Sequence, residues 1–324
     1  MTHVNTDAAI TKVAQRERYR RPFRAYPSAR EAMGAFLRAV NVRKDQRVLL
    51  PAYIGWSARE GSGVFDPVRE TEVGFGFYAL GDRLEIDLTD LESELAKGDV
   101  RLVVLIHYFG RPDPRWEEAV ALARRYDALV LEDSAHAMLT DIVAGACGRA
   151  GDASFYSLHK LLPIHDGGML VLNPWAPITL ADIPGEDLPA DAPWTFDLQR
   201  IAAIRMRNAR LLHDLIANEP RLRGELSPLW ESFPDHCVLQ TYPVMIHRVS
   251  RDQLYFSMNE AGYGVVSLYH TMIDQLHVDA YPSSHFVAQR VMNLPVHQDV
   301  TEQQLHALVE TLAVQIAAAA TRTP

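Results

Sequence analysis

Three segments of the chain carry an apolar run without alternation, closed by polar residues: "QRVLLPAYI" (46–54), "VRLVVLIHYFG" (100–110) and "ALVLEDSAH" (128–136). A strand with one wet face alternates apolar and polar residues, whereas a strand covered on both faces need not. Between and around them lie helical patterns: "SAREAMGAFLRAV" (28–40), "DLTDLESELA" (87–96) and "DPRWEEAVALARRYD" (113–127). Buried strands alternating with amphipathic helices predict an α/β fold of three layers, a mostly parallel central sheet with helices on both faces. Ligands gather beyond the C-terminal ends of the strands in such sheets. The polar residues of these segments stand at those ends, in "PAY", "HYFG" and "EDSAH".

The rest of the chain completes this plan. Residues 1–20 are polar and read as an N-terminal arm, and the arginines of "RERYRRPFR" (16–24) as a solvated segment. From about 175 to 235 the chain is rich in Pro, Asp and Trp and then helical, in "LQRIAAIRMRNARLLHDLIAN" (198–218). Beyond it "CVLQTYPVMI" predicts a strand, "RDQLYFSMNEAGYG" a helix with a glycine cap, and "TEQQLHALVETLAVQIAAAA" an amphipathic C-terminal helix. The division expected is a large domain over 21–234 and a smaller α/β domain over 235–324. At 324 residues and 48% hydrophobic the chain can bury a large core, and its net charge of −9 argues against a nucleic-acid binder. The two cysteines, Cys147 and Cys237, have no metal-ligand spacing and read as free thiols, so no metal is expected. "MTHVNTDAAITKVAQ" has no apolar core for a signal peptide, and no run reaches the ~20 apolar residues of a membrane span. The expected compartment is the cytoplasm.

Three sites carry the chemistry. "LEDSAH" sets Asp133 at a strand end, followed by Ala135 and His136. "SLHK" sets Ser157 three residues before Lys160, with Gly167 and Gly168 after it. "PSARE" sets Ser28, Ala29 and Arg30 at a helix start, with Ser28 and Glu31 spaced as a capping box. Singly, each has a plain reading: Asp133 as a cap or ion-pair partner, Lys160 as a surface lysine, Ser28 as an N-cap. Together they match the needs of pyridoxal phosphate (PLP). That cofactor takes a lysine amine, an acid beside its ring nitrogen, and a phosphate cup at a helix N-terminus. Ser28, Ala29 and Arg30 offer the cup, the Ser157 hydroxyl completes it, and Arg30 adds a charge-assisted bond if its side chain turns inward.

The ordered set "YPSAREAM", "VLLPAYI", "VVLIHYFG", "LEDSAHAM", "GDASFYSLHK…DGGMLVLN" and "NLPVHQD" resembles the DegT/DnrJ/StrS family of PLP-dependent sugar aminotransferases, of fold type I, from about residue 23 to 315. The resemblance implies Lys160 as the Schiff-base lysine and Asp133 as the partner of the ring nitrogen. It implies His136 beside the cofactor's phenolic oxygen, and Ser157 with the backbone at Ala29 and Arg30 around the phosphate. It also implies a homodimer with the site at the subunit interface. The sequence departs from the family in four places. The serine lies three rather than five residues before the lysine. Ala29-Arg30 stands where most members have Gly-Thr or Gly-Arg. The turn after Pro51 has Gly55 where an aromatic usually stacks on the ring, so that Trp56 is the candidate substitute and Tyr53 another, a core Trp56 being the plain alternative. The region before the first helix is short.

Other residues stay open at this point. His107 and Tyr108 line the pocket or pack as aromatic surface. His159 is a proton relay or a structural donor. Asn208 reaches a partner subunit's cofactor or sits on an exposed helix face. "SLYH" (267–270) and Tyr281 lie over the substrate from the small domain. The function expected is transfer of an amino group from an amino-acid donor, glutamate, to a nucleotide-linked keto-sugar in glycan or natural-product synthesis. Two alternatives are a PLP enzyme of this fold acting on a non-sugar ketone or running another reaction, and a non-catalytic homologue serving as a binding subunit. An intact Asp133/Lys160 pair argues against the latter. Lys160 itself disfavours the dehydratases in which histidine replaces that lysine.

Overall fold

The protein is described from a computed structural model, which covers residues 21–185 and 192–320; the arm expected over 1–20 lies outside the described residues. In the large sheet the chain runs through β1 (Phe23–Tyr26), α1 (Ala29–Ala39), β2 (Arg47–Pro51), α2 (Phe65–Glu70), β3 (Gly74–Tyr78), α3 (Leu88–Leu95), β4 (Val100–Ile106), α4 (Trp116–Arg125) and β5 (Leu129–Asp133). It continues through α5 (Met138–Ile142), β6 (Ala153–Ser157) and β7 (Gly168–Leu172) into the long α6 (Leu198–Asn218). Then follow β8 (Leu226–Pro228), β9 (Thr241–Ile246), α7 (Arg251–Glu260), α8 (Pro282–Arg290), β10 (Val291–Pro295) and α9 (Glu302–Ala320).

Seven strands form the central sheet in the order β1-β7-β6-β5-β4-β2-β3. The pairs β3–β2, β2–β4, β4–β5 and β5–β6 are parallel, while β7 runs antiparallel to both β6 and β1. Every residue of β5, β6 and β7 is buried. Successive side chains of a strand point to opposite faces, so both faces of the sheet's centre are covered, which is why these segments need not alternate apolar and polar residues. Each fully buried Val, Leu or Ile contributes roughly 1.5–3 kcal/mol. The helix starts are chemical as well as periodic: Ser28, Asp87, Asp197 and Ser250 each accept a backbone N–H of the first turn. At Ser28 the bond comes from Glu31 N at 3.2 Å.

Two predicted strands are shorter than expected. The 100–110 segment leaves the sheet after Ile106, because Phe109 and Gly110 adopt positive φ of 56° and 99°. A Cβ at Gly110 would come within 2.5 Å of Val238 O, so this turn packs directly on the later chain. The 237–246 segment becomes strand only at Thr241. The small sheet, β10-β9-β8, is antiparallel throughout. It begins before residue 235, ahead of the division suggested by the sequence, since β8 is a three-residue strand ending in proline with no pattern of its own.

Candidate active site

All the chemistry-bearing segments meet at one edge of the large sheet, the C-terminal ends of β5 and β6. Asp133 ends β5, Ser157 ends β6, and Leu158–Lys160 form a single turn of 3-10 helix directly after it. β7 returns antiparallel with Gly168 paired to Ser157. A Cβ on Gly168 would sit 2.2 Å from Ser28 O and 2.5 Å from Ala29 N. Only glycine allows the start of α1 to lie this close, so the helix N-terminus rests beside Ser157. Among the described contacts the N–H groups of Ala29 and Arg30 donate to no protein acceptor, as first-turn amides do.

Among the described residues the Lys160 amine has one hydrogen-bond partner. Its Nζ lies 3.0 Å from His136 Nε2. Phe109 N–H donates to His136 Nδ1 at 3.2 Å. A nitrogen that accepts from a backbone N–H carries no proton, so the neutral ring holds its proton on Nε2. Nε2–H then faces Lys160 Nζ, a pairing that disfavours the charged ammonium. Burial acts in the same direction. It pushes the imidazole well below its usual value, with the Lys160 charge adding to the effect, and it lowers the lysine while Asp133 pulls the other way. Asp133 is 4% exposed, and burial raises its carboxyl above the usual range against the pull of Lys160. Its Oδ1 accepts from Ala135 N–H at 2.9 Å, and no described bond reaches Oδ2.

Several expectations are redistributed. The Arg30 side chain turns outward, hydrogen-bonding Glu60 O and pairing with Asp66 at 3.6 Å, so only its backbone faces the cup. Trp56 is 48% exposed and makes no ring contact among the described residues. Tyr53 is fully buried and its hydroxyl donates to Leu268 O. His107 points away from Lys160 to Glu132, at 2.9 Å, and Tyr108 is packed with its hydroxyl on Tyr53 O. His159 is exposed, its Nδ1 3.4 Å from Ser157 Oγ. Asn208 is buried rather than on an exposed face, its amide donating to His297 O and Val300 O of the same chain. Tyr281 packs edge-on against Phe77 of β3. From 267–270 it is Tyr269 that reaches the site, its hydroxyl 3.4 Å from His136 Nε2.

A cavity of about 370 Å³ opens beside Lys160, between its turn and the small sheet, with Arg205, Gln240, Asn293 and His297 in its wall. The sequence reading passed over Arg205. It is 3% exposed and donates to Gln298 Oε1, Gln240 O and Leu161 O, tying the Lys160 turn to the small sheet. With no carboxylate among these partners, burial lowers its guanidinium to about 10. A basic residue on the wet face of a helix has the same spacing, so no local signal marks it. Cys147 and Cys237 are buried free thiols. Among the described residues no group of His, Cys, Asp and Glu could hold a metal ion, and no helix is long and apolar enough to cross a membrane.

Residues 25–176 match the model of the DegT/DnrJ/EryC1/StrS aminotransferase family. The fold is similar to that of an aminotransferase, TlmJ, from Streptoalloteichus hindustanus, with a TM-score of 0.73 at 17% identity over 91% of this chain and 86% of that one. It is similar to 3-amino-5-hydroxybenzoic acid synthase, with a TM-score of 0.72 at 16% identity over 92% and 87%. A candidate sugar aminotransferase of Streptococcus pneumoniae, solved in its PLP form, superposes with a TM-score of 0.68 at 13% identity over 92% and 88%. An uncharacterized protein of Methanocaldococcus jannaschii is 29% identical over 90 residues, 27% of this chain, so the chain matches 23% of that curated relative's length. The matched family is one of PLP-dependent enzymes, and the α/β architecture is the one its solved structures share.

Proposed function

We propose, from the premise that over residues 25–176 the chain belongs to the DegT/DnrJ/EryC1/StrS aminotransferase family, that it is a PLP-dependent aminotransferase moving an amino group from glutamate to a nucleotide-linked keto-sugar. The observation that carries the reading is the half-buried amine of Lys160, 3.0 Å from Nε2 of a neutral His136 and beside the buried carboxyl of Asp133. A surface lysine would be hydrated and fully charged; around this one, burial favours the uncharged, nucleophilic form.

The residues fit the cofactor. The close approach of Gly168, paired with Ser157, to the start of α1 supports a phosphate cup there made of the Ala29 and Arg30 N–H groups with the hydroxyls of Ser28 and Ser157. Asp133 Oδ2 is free to accept a ring N–H. When bound, PLP supplies an aldehyde that amines condense with and a ring that draws electrons from the carbon being deprotonated. Lys160 Nζ would hold the cofactor through that aldehyde and would take up and return a single proton. Asp133 holds the proton of the ring nitrogen in place. His136 Nε2–H orients the lysine's lone pair. The cavity lined by Arg205, Gln240 and Asn293 gives the substrates room next to Lys160. The reading extends to a cytoplasmic homodimer, with a smaller C-terminal domain that takes in the β10-β9-β8 sheet.

Two half-reactions test it. Glutamate alone should bleach the visible band of the bound cofactor and release one equivalent of 2-oxoglutarate per site. A nucleotide-linked keto-sugar should then restore the band. Restoration by a small non-sugar ketone and by no nucleotide sugar would keep the aminotransferase and discard the sugar. No bleaching by any amino donor would discard both.

A further inference from the structure

The aromatic side chain missing at Gly55 has a counterpart far along the chain. A Cβ built on Gly55 would lie 2.0 Å from Tyr269 Cδ1, 2.8 Å from Cγ and 2.9 Å from Cε1, in collision with that edge of the tyrosine ring. Gly55 is not among the glycines with positive φ. It is glycine for room rather than for backbone freedom. Tyr269 carries the conformational oddity instead, with φ of 65° in a non-glycine residue. Such a conformation costs of order 1–3 kcal/mol and persists only where the surroundings over-determine it. Here they do. Gly55 and Met272 form an antiparallel bridge, and Trp56 N–H donates to Thr271 O at 3.0 Å. Ile273 N–H donates to Ile54 O at 3.1 Å, and Tyr53 Oη donates to Leu268 O at 2.9 Å.

This lacing holds the Tyr269 ring at the catalytic edge. The ring lies within 16° of parallel to His136, centroids 6.1 Å apart, and edge-on to Tyr53 at 5.5 Å. His136 Nε2–H, already directed to Lys160, can be shared only with the phenolic oxygen of Tyr269, 3.4 Å away. The phenolic proton then has no acceptor among the described residues. Burial and the Asp133 charge push the phenol up, so the proton stays on.

We propose that Tyr269 is the aromatic wall of the cofactor site, its ring against the cofactor and its hydroxyl donating to the ligand at Lys160, and that Gly55 and Tyr269 are a matched pair in which the small side chain makes space for the large one. This rests on the proposed PLP reading. It makes Tyr269 a binding residue brought in with the lacing strand 271–273 of the later chain, so that ordering of this segment and cofactor uptake are linked.

The test measures PLP affinity and the visible circular dichroism of bound cofactor, with no substrate present. Tyr269→Ala should weaken binding about ten-fold and change the dichroism. Gly55→Ala should do the same, because its methyl group meets the ring. Gly55→Phe should be worse than Gly55→Ala in the natural background, and should restore affinity at least in part when combined with Tyr269→Ala. Tyr269→Phe keeps the ring, so its affinity should stay within about three-fold while the pH midpoint of the visible band moves. Unchanged affinity and dichroism in Tyr269→Ala, or a Gly55→Phe effect that is the same in both backgrounds, would overturn the pairing while wild-type protein still binds PLP. Wild-type protein that takes up no PLP overturns the parent reading and this inference with it.

Discussion

Glu132 and Asp133 are neighbours at the end of β5, both buried, and they point to opposite faces of the sheet. Glu132 accepts from the N–H groups of Gly148, Ala150 and Gly151 at 2.7, 3.0 and 2.7 Å, and from His107 Nε2 at 2.9 Å. Asp133 accepts from one N–H, that of Ala135. Each face also has a histidine held in the same way. Asp113 N–H donates to His107 Nδ1 and Phe109 N–H to His136 Nδ1, which leaves Nε2–H outermost on both rings. On one face that proton meets a carboxylate, and on the other an amine. A carboxylate with every lone pair taken anchors the 148–151 turn and has nothing left for a ligand. A carboxylate left half-bonded beside a neutral lysine costs stability and can do chemistry.

The largest effect expected is at Lys160. Lys160→Ala should abolish covalent cofactor attachment and lower transamination by at least about 10⁴-fold, the upper range for a positioned proton carrier. Its melting temperature should not fall, since a half-buried lysine with no carboxylate in hydrogen-bond contact among the described residues supplies little stability to lose. Activity within ten-fold of wild type would break the comparison at its active side. Next come the two carboxylates, with crossed outcomes. Glu132→Ala leaves three backbone donors and a histidine unpaired, and should cost about 3–5 kcal/mol in denaturant unfolding. Asp133→Asn should unfold at nearly the wild-type denaturant concentration, retain PLP and lose about 10²–10³-fold in rate, because an amide cannot hold the ring proton. If the stability and rate effects fell on the same residue, the division of labour would be wrong.

A pH experiment sharpens the structural side. Burial raises the Asp113 carboxyl, whose two oxygens accept from Ile86 and Arg115 N–H, from 3.8 to about 6. A raised folded-state value gives stability that is fully present below about pH 4 and is lost as pH rises through 6. Between pH 4 and 7 the stability of wild type should therefore fall relative to Asp113→Asn, by at most about 3 kcal/mol. A pH-independent difference would show that Asp113 ionises normally. The smallest effect is at the phosphate cup. Ser157→Ala removes one hydrogen bond to an anion, worth about 1.5–3 kcal/mol, and should weaken PLP about ten- to a hundred-fold. Unchanged affinity would remove Ser157 from the cup.

Much of this was legible because it is local. Apolar runs without alternation announced β2, β4 and β5, the 198–218 periodicity gave α6 to the residue, and Ser28 carried its own capping signal. The grouping of Lys160, Asp133, Ser157 and the α1 N-terminus rests on what PLP requires and on the family resemblance, with only Asp133 placed at a strand end by pattern. What the sequence hid depends on faces and on distant partners. "LEDSAH" shows two acids but not which one meets the 148–151 turn, since that follows from register. Arg30 turns outward because Asp66 of α2 lies beside it. Asn208 is buried because the 296–300 loop offers it carbonyls. The glycine at 55 read as a missing aromatic, and only the folded chain brings Tyr269 into its place.

The most direct measurement concerns the Lys160 amine itself. PLP-loaded protein reduced with borohydride, digested and mapped by mass spectrometry should carry one phosphopyridoxyl group per chain, on the peptide containing Lys160, with none in Lys160→Ala. A label on another lysine, or no label on protein that has taken up PLP, would contradict the assignment of this edge of the sheet as the active site.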